Sequence, residues 1–225
     1  MKAILISLSL LTLPLFYSYL NKITTDPVKS ELTPIKEKAA YLVKKLKKGS
    51  MPIELMYDEE NIYGIFKVED RYVRSIVREY NGNVSGDSCV EFFFSPDSDL
   101  PLSYFNLEIN AGGTPLIFYV AKPWDKFTKL GKEDIEQIEI AHSLPEVVDP
   151  EITEPTTWYI EYRIPLAMLK KHSKVTPPKS GTVWKANFYK TGSRTSNPNF
   201  LTWSYVDNPK PNFHLPQFFG TLKFQ

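Results

Sequence analysis

From about residue 52 onward, apolar and polar residues alternate along short runs, and clusters of Gly, Pro, Asn and Asp separate the runs. A repeat of two is what a strand with one buried face requires. The run "IELMYD", the turn "DEEN" and the run "IYGIFKVED" predict a β-hairpin. Further strands are predicted at "CVEFFFS", "YFNLEIN", "PLIFYVA", "WYIEYRIP", "VWKANFYK", "FLTWSYV" and "FFGTLKF", eight or nine in all. So many short strands with turn residues between them predict an all-β fold, an antiparallel β-sandwich of two sheets. Two short peripheral helices are expected, one turn in "GKEDIEQIEI" that leads into a further strand and another in "IPLAMLKKH". The acidic, proline-bearing stretch 124–155 reads as an excursion from the sandwich.

Strand parity then assigns side chains to faces. "FNLEIN" sets Asn106, Glu108 and Asn110 against Phe105, Leu107 and Ile109. "WYIEYRI" sets Tyr159, Glu161 and Arg163 against Trp158, Ile160, Tyr162 and Ile164, and "WKANFY" sets Lys185, Asn187 and Tyr189 against Trp184, Ala186 and Phe188. A polar outer face is what an antiparallel sheet shows to water, and this accounts for most such residues. "CVEFFF" differs, because Cys89, Glu91 and Phe93 oppose Val90, Phe92 and Phe94. Both of its faces are largely apolar, which predicts a central strand covered on both sides. Glu91 must then be paired or hydrogen-bonded, since an isolated buried carboxylate costs several kcal/mol. Three readings are open: an ion pair with Arg78, Arg163 or Lys185; a carboxylate facing a ligand; or half of a catalytic pair with Glu108. Carboxylates, amides and an arginine on one sheet face, with aromatic rings nearby, suit hydrogen bonding to sugar hydroxyls.

Composition narrows the partners. The chain has 225 residues, 42% of them hydrophobic and 14% aromatic, enough for one good core. A formal charge of +1 gives no bulk field toward nucleic acid. At the N-terminus, "MKAILISLSLLTLPLFYSYLNK" carries one lysine and then an apolar run, as a secretory signal does. Residues 1–20 are therefore expected to be a signal peptide or an uncleaved N-terminal anchor, and residues 21–49 a linker with a short amphipathic helix in "TPIKEKAAYLVKKLKKG". Residues 50–225 are expected to form the sandwich. Cys89 is the sole cysteine, so no internal disulfide forms. The expected location is outside the cytoplasm: periplasmic, cell-surface or secreted.

The stretches "YVRSIVREYNGNVSGDSCVEFFFSPD", "YFNLEINAGGT", "RIPL", "WKANFYKTGS", "NFLTWSYV" and "PKPNFHLPQFFGTLKF" resemble, in order, the family 9 carbohydrate-binding modules and their bacterial family 9-like relatives. The resemblance runs from about Pro52 to Phe224. It implies a sandwich of the DOMON-like kind and a non-catalytic role in holding a poly- or oligosaccharide, beside glycoside hydrolases or envelope proteins. By position it points to Glu91 first, then to Glu108 and Asn110. Asn106, Arg78, Tyr80, Arg163, Asn187, Tyr189 and Trp203 complete the candidate set. The family's paired aromatic clamp has no direct counterpart, because the loop before Glu91 offers Tyr80, Asn81 and Asn83 where a tryptophan is expected. Trp203, Tyr189 and Trp124 are the replacements the sequence offers. Some members bind calcium, and "SPDSD" supplies oxygen atoms in a loop. Related sandwiches hold haem between a methionine and a histidine, for which Met51, Met56 and Met168 with His142, His172 and His214 are the available ligands. No nucleophile elbow, zinc helix or phosphate loop is present.

Overall fold

Cys89–Ser95 forms a strand buried at every position, and the rest of the fold is arranged around it. The computed structural model describes residues 53–225, so the segments expected to form an N-terminal signal or anchor and an amphipathic helix, and Met51, lie outside the described residues. The described strands are β1 (Ile53–Tyr57), β2 (Asn61–Asp70), β3 (Val73–Ser75), β4 (Cys89–Ser95), β5 (Tyr104–Asn110), β6 (Pro115–Lys122), β7 (Lys126–Lys129), β8 (Glu139–His142), β9 (Val148–Ile152), β10 (Thr156–Pro165), β11 (Val183–Thr191), β12 (Phe200–Thr202) and β13 (Gly220–Lys223). Two short helices, α1 (Lys132–Ile135) and α2 (Leu166–Lys170), fall where the sequence places them. Among the described residues, no helix is long and apolar enough to cross a membrane.

The strands make two principal sheets, one of four strands in the order β1-β2-β10-β8, and one of seven in which β12, β11, β4, β5, β6 and β7 follow one another and β13 also pairs with β11. β3 and β9 form a separate pair. The predicted hairpin is present, with Ile53 opposite Phe66 and Tyr57 opposite Ile62. Alternation explains the core. Ile62, Phe66 and Val68 from β2 and Trp158, Ile160, Tyr162 and Ile164 from β10 meet Val90, Phe92, Phe94, Phe105, Leu107, Ile109, Trp184 and Phe188 from the long sheet. Phe92 stacks on Phe94 at 4.4 Å and on Phe188 at 4.9 Å, and reaches Tyr162 of the opposite sheet at 6.2 Å. Gly64 lies opposite Tyr162 because nothing larger fits: a Cβ there would stand 2.3 Å from the tyrosine ring.

One charge pair crosses between the layers. Lys190, 2% exposed on the inner side of β11, meets Asp70 at the end of β2 at 2.6 Å and donates to Asn199 Oδ1 at 2.7 Å. Burial lowers its pKa, and Asp70 opposes that shift.

The strands missed by the pattern are β3, β7 and β9. β7 is "KFTK", exposed at all four positions, and has no buried face to impose an alternation. β3 is three residues long, and β9 contains Pro150. The predicted strand "FLTWSYV" is cut to Phe200–Thr202. Asn187 causes the break: its amide accepts from Ser204 N at 2.8 Å and donates to Ser204 O at 3.0 Å, taking up backbone groups that a continuing ladder would use.

Candidate binding site

The outer face of the long sheet carries the residues that parity gathers there. Cross-strand register sets Tyr189 beside Glu91, Glu91 beside Glu108 and Glu108 beside Leu116. The next row is Asn187, Phe93, Asn106, Phe118 and Lys129, and the row beyond it holds Tyr104, Val120 and Phe127. Two small apolar clusters flank the carboxyl row. Val84, Cys89 and Leu116 lie on one side, and Phe93, Tyr104, Val120, Tyr189 and Phe219 on the other.

Glu91 and Glu108 are therefore enclosed rather than washed by solvent, at 2% and 6% exposure. Glu91 accepts a hydrogen bond from Thr191 Oγ1 at 2.9 Å. Glu108 accepts from Asn106 Nδ2 at 3.0 Å, and Asn106 Oδ1 accepts in turn from Phe118 N at 3.2 Å. Burial, then repulsion from Glu108, raises the Glu91 carboxyl well above the usual carboxylate range. Burial pushes Glu108 up to about 7, against the pull of Asn106 and Ser85. Two like groups on directly opposite residues cannot both ionise without cost, so the pair shares its protons. A protonated carboxyl is a donor as well as an acceptor, which is useful against a hydroxyl.

The expected cation partners do not reach Glu91. Arg163 lies in the other sheet, where it donates to Glu139 and to Asn61 Oδ1. Lys185 donates to Thr221 Oγ1 at 3.1 Å, and Arg78 is exposed, 3.5 Å from Glu146. The ion-pair reading of Glu91 is corrected accordingly: a threonine hydroxyl holds the carboxyl, and among the described residues no cation acts on it.

Of the remaining candidates, Asn110 and Asn187 are buried and fully engaged. Asn110 Nδ2 donates to Val77 O at 2.9 Å and Asp87 Oδ2 at 3.1 Å, while its Oδ1 accepts from Thr114 N at 2.8 Å. Tyr189 is buried, stacked on Phe213 at 4.0 Å and 11°, with its hydroxyl donating to Phe213 O. Trp203 faces the core: its ring meets Phe188 edge-on at 5.6 Å and covers Gly220, where a Cβ would approach it to 2.3 Å. Arg163 and Trp203 are thus not brought to the carboxyl row, whereas Glu91, Glu108 and Asn106 are brought together. Tyr80 is 44% exposed in the loop before the site.

Several members of the site escaped the sequence reading. Asp87 accepts from Ile76 N, Val77 N and Asn110 Nδ2 and so pins the 76–87 loop against the sheet. Thr191 lies two residues beyond Tyr189, so parity carried one step further finds it. Ser85 sits in a 3-10 turn (Val84–Gly86) and has no pattern signal. His214 Nδ1 and Tyr104 OH share a hydrogen bond of 2.8 Å, and burial lowers the imidazole pKa, leaving the ring neutral.

The metal and haem readings meet occupied side chains. In the "SPDSD" loop, Asp97 Oδ1 accepts from Asp99 N and the Asp99 carboxylate pairs with Lys174. An ammonium already serves that loop, so its residues do not fit calcium. Among the described residues, no group of three or more His, Cys, Asp or Glu side chains is placed to hold a metal. His142 engages Leu144 O and His172 engages Asp134, while Met168 is in the core.

The family model of carbohydrate-binding family 9 matches residues 49–224. The chain is similar to a Bacteroides uniformis ATCC 8492 protein assigned to carbohydrate binding, at 32% identity over 79% of each chain and a TM-score of 0.72. It shares its fold with a family 9 module of Caldicellulosiruptor kristjanssonii in complex with glucose, at 18% identity, TM-score 0.50, covering 80% of this chain and 78% of that one. A structure of a family 9 module from the same organism with cellotriose gives 16% identity and a TM-score of 0.50, covering 80% and 76%. No curated protein matches the chain. With most of its length matched and its sheets arranged as a two-layer sandwich, the chain belongs to carbohydrate-binding family 9.

Proposed function

We propose that the protein is a non-catalytic module that holds a poly- or oligosaccharide on the outer face of its long sheet, with Glu108 as the ligand-facing carboxyl and Glu91 beneath it. The observation that carries this reading is the enclosed row Glu91, Glu108 and Asn106, which has hydroxyl and amide partners and, among the described residues, no cation. A structural charge in this position would recruit a lysine or arginine. A row of carboxyl and amide groups instead offers both donors and acceptors to an uncharged polyol. Family membership and the glucose and cellotriose complexes in the two Caldicellulosiruptor structures support the same class of ligand.

A retaining hydrolase would also place two carboxyl groups at close range, about 5 Å. Such chemistry needs an ionised nucleophile open to substrate, and Glu91, at 2% exposure with a raised pKa, is poorly suited to it. Export through the N-terminal apolar segment, and service beside glycoside hydrolases or envelope proteins in carbohydrate breakdown, complete the proposal. In this reading residues 1–20 are the signal or anchor, 21–49 the linker and 50–225 the binding domain.

A glycan array probed with the wild-type protein and with Glu108→Gln tests the proposal. The expected outcome is retention on one class of glycan by the wild type, at least ~10-fold weaker in the variant, with a melting temperature in the variant no lower than the wild type's. Equal retention by both proteins, or none by the wild type on any glycan, overturns it.

A further inference from the structure

We propose that the rings of Trp124, Phe127 and Phe118 form a second contact strip on the same sheet face, so that the preferred ligand is a chain of several sugar units rather than a single sugar. The inference rests on the binding reading above and adds the size of the ligand to it.

Trp124 stands in the turn between β6 and β7 at a φ of +64° and 72% exposure. A bulky residue seldom adopts that left-handed conformation, and a large indole face left in water is a poor use of apolar area unless something covers it. The ring is backed from inside. It meets the His214 imidazole at 6.0 Å and 72°, and His214 is tied to the buried Tyr104 hydroxyl. Phe127, 65% exposed, stacks on half-buried Phe118 at 5.6 Å and 27°, with Lys129 Nζ 5.8 Å from the Phe118 centroid. Register joins this strip to the carboxyl row: Phe118 is opposite Asn106, and Phe127 is opposite Val120, itself opposite Tyr104.

Geometry then sets the ligand size. Glu108 and Tyr104 are four residues apart on β5, about 13 Å along the strand. One pyranose ring does not cover that span, so a ligand that engages Glu108 and also lies against Trp124 contains several. The flat apolar faces of such units match exposed rings, and the Lys129 ammonium supplies a donor at the rim. Pairing of a protein strand along β7 is the rival use of this edge, and it is opposed by the exposed Lys126 and Lys129, charges of the kind that keep sheet edges from pairing.

Calorimetric titration with gluco-, xylo-, manno- and galacto-oligosaccharides of about two to six units tests the inference. The quantity read is the ratio of affinity for the longest to the shortest member of whichever series binds. The wild type is expected to gain ~10-fold or more with length, and Trp124→Ala, with Phe127→Ala as a second variant, to bring the ratio close to one. A wild-type affinity that does not rise with length, or a gain that both variants keep, overturns the strip while leaving the carboxyl site standing. Binding to no series overturns the binding reading and this inference with it, a result distinct from the other two.

Discussion

At the scale of single residues the central fact is that two carboxyl groups occupy facing positions in an enclosed row, with repulsion between them and, among the described residues, no cation to relieve it. The consequence is a stability that depends on pH in the direction opposite to that of an exposed salt bridge. Glu108 rises from an ordinary 4.5 to about 7 on folding. Between those values the unfolded chain has released its proton while the folded protein keeps it, so the unfolded state binds fewer protons and stability falls as pH rises. The fall is complete above about 7 and amounts to something on the order of 3 kcal/mol for this group. Urea denaturation from pH 4.5 to 8 should show the wild type losing stability along that range relative to Glu108→Gln, with the two proteins closest at the acid end. Parallel pH profiles would mean that Glu108 is already ionised in the fold. The special status of Glu91 was legible in the sequence because a charge inside "CVEFFF" breaks parity on a covered strand. Its partner was not, since sequence offers every arginine and lysine equally, whereas the sheet order puts Thr191 on the strand next to Glu91 and Arg163 in the other layer.

Among the structural elements, the decisive one is the 76–87 loop, which turns an outer sheet face into a covered one. Asp87, 1% exposed, accepts hydrogen bonds from two backbone N–H groups of the loop and from Asn110, and Arg74 Nε lies 3.9 Å from its other oxygen. Asp87→Ala leaves those donors buried without an acceptor, a loss of about 3 kcal/mol, and releases Ser85 from its place over Glu108. Denaturant unfolding should register that loss, and saccharide retention should fall with it; a loss below about 1 kcal/mol would mean that the loop is held elsewhere. Nearly all of the strands were legible at this scale wherever one face is buried, as in β2, β4, β5, β10 and β11. β7 was not, because a strand that is exposed on both faces has no alternation to read. The end of β12 was hidden for another reason: a side chain, Asn187, competes for the backbone and stops the ladder.

For the whole molecule, the two sheets enclose an aromatic core crossed near one end by the Lys190–Asp70 pair, and the carboxyl row lies on the outer face of the larger sheet. Fold class followed from period-two patterning because burial on one face is a repeated, local constraint. The proposed binding face followed only in part: parity said which residues share a face, but it could not say that residues distant in sequence, such as Phe213, His214 and Phe219, fold over it. That covering encloses the polar outer face and leaves Glu108, at 6% exposure against 2% for Glu91, the more accessible of the two carboxyl groups. The account is tested most directly by carbon-detected NMR of the Glu91 and Glu108 carboxyl groups while an oligosaccharide bound on the array is titrated in. Both resonances should move saturably with the ligand, Glu108 the further. Saturable binding that leaves both carboxyl resonances in place would put the sugar elsewhere and contradict the account.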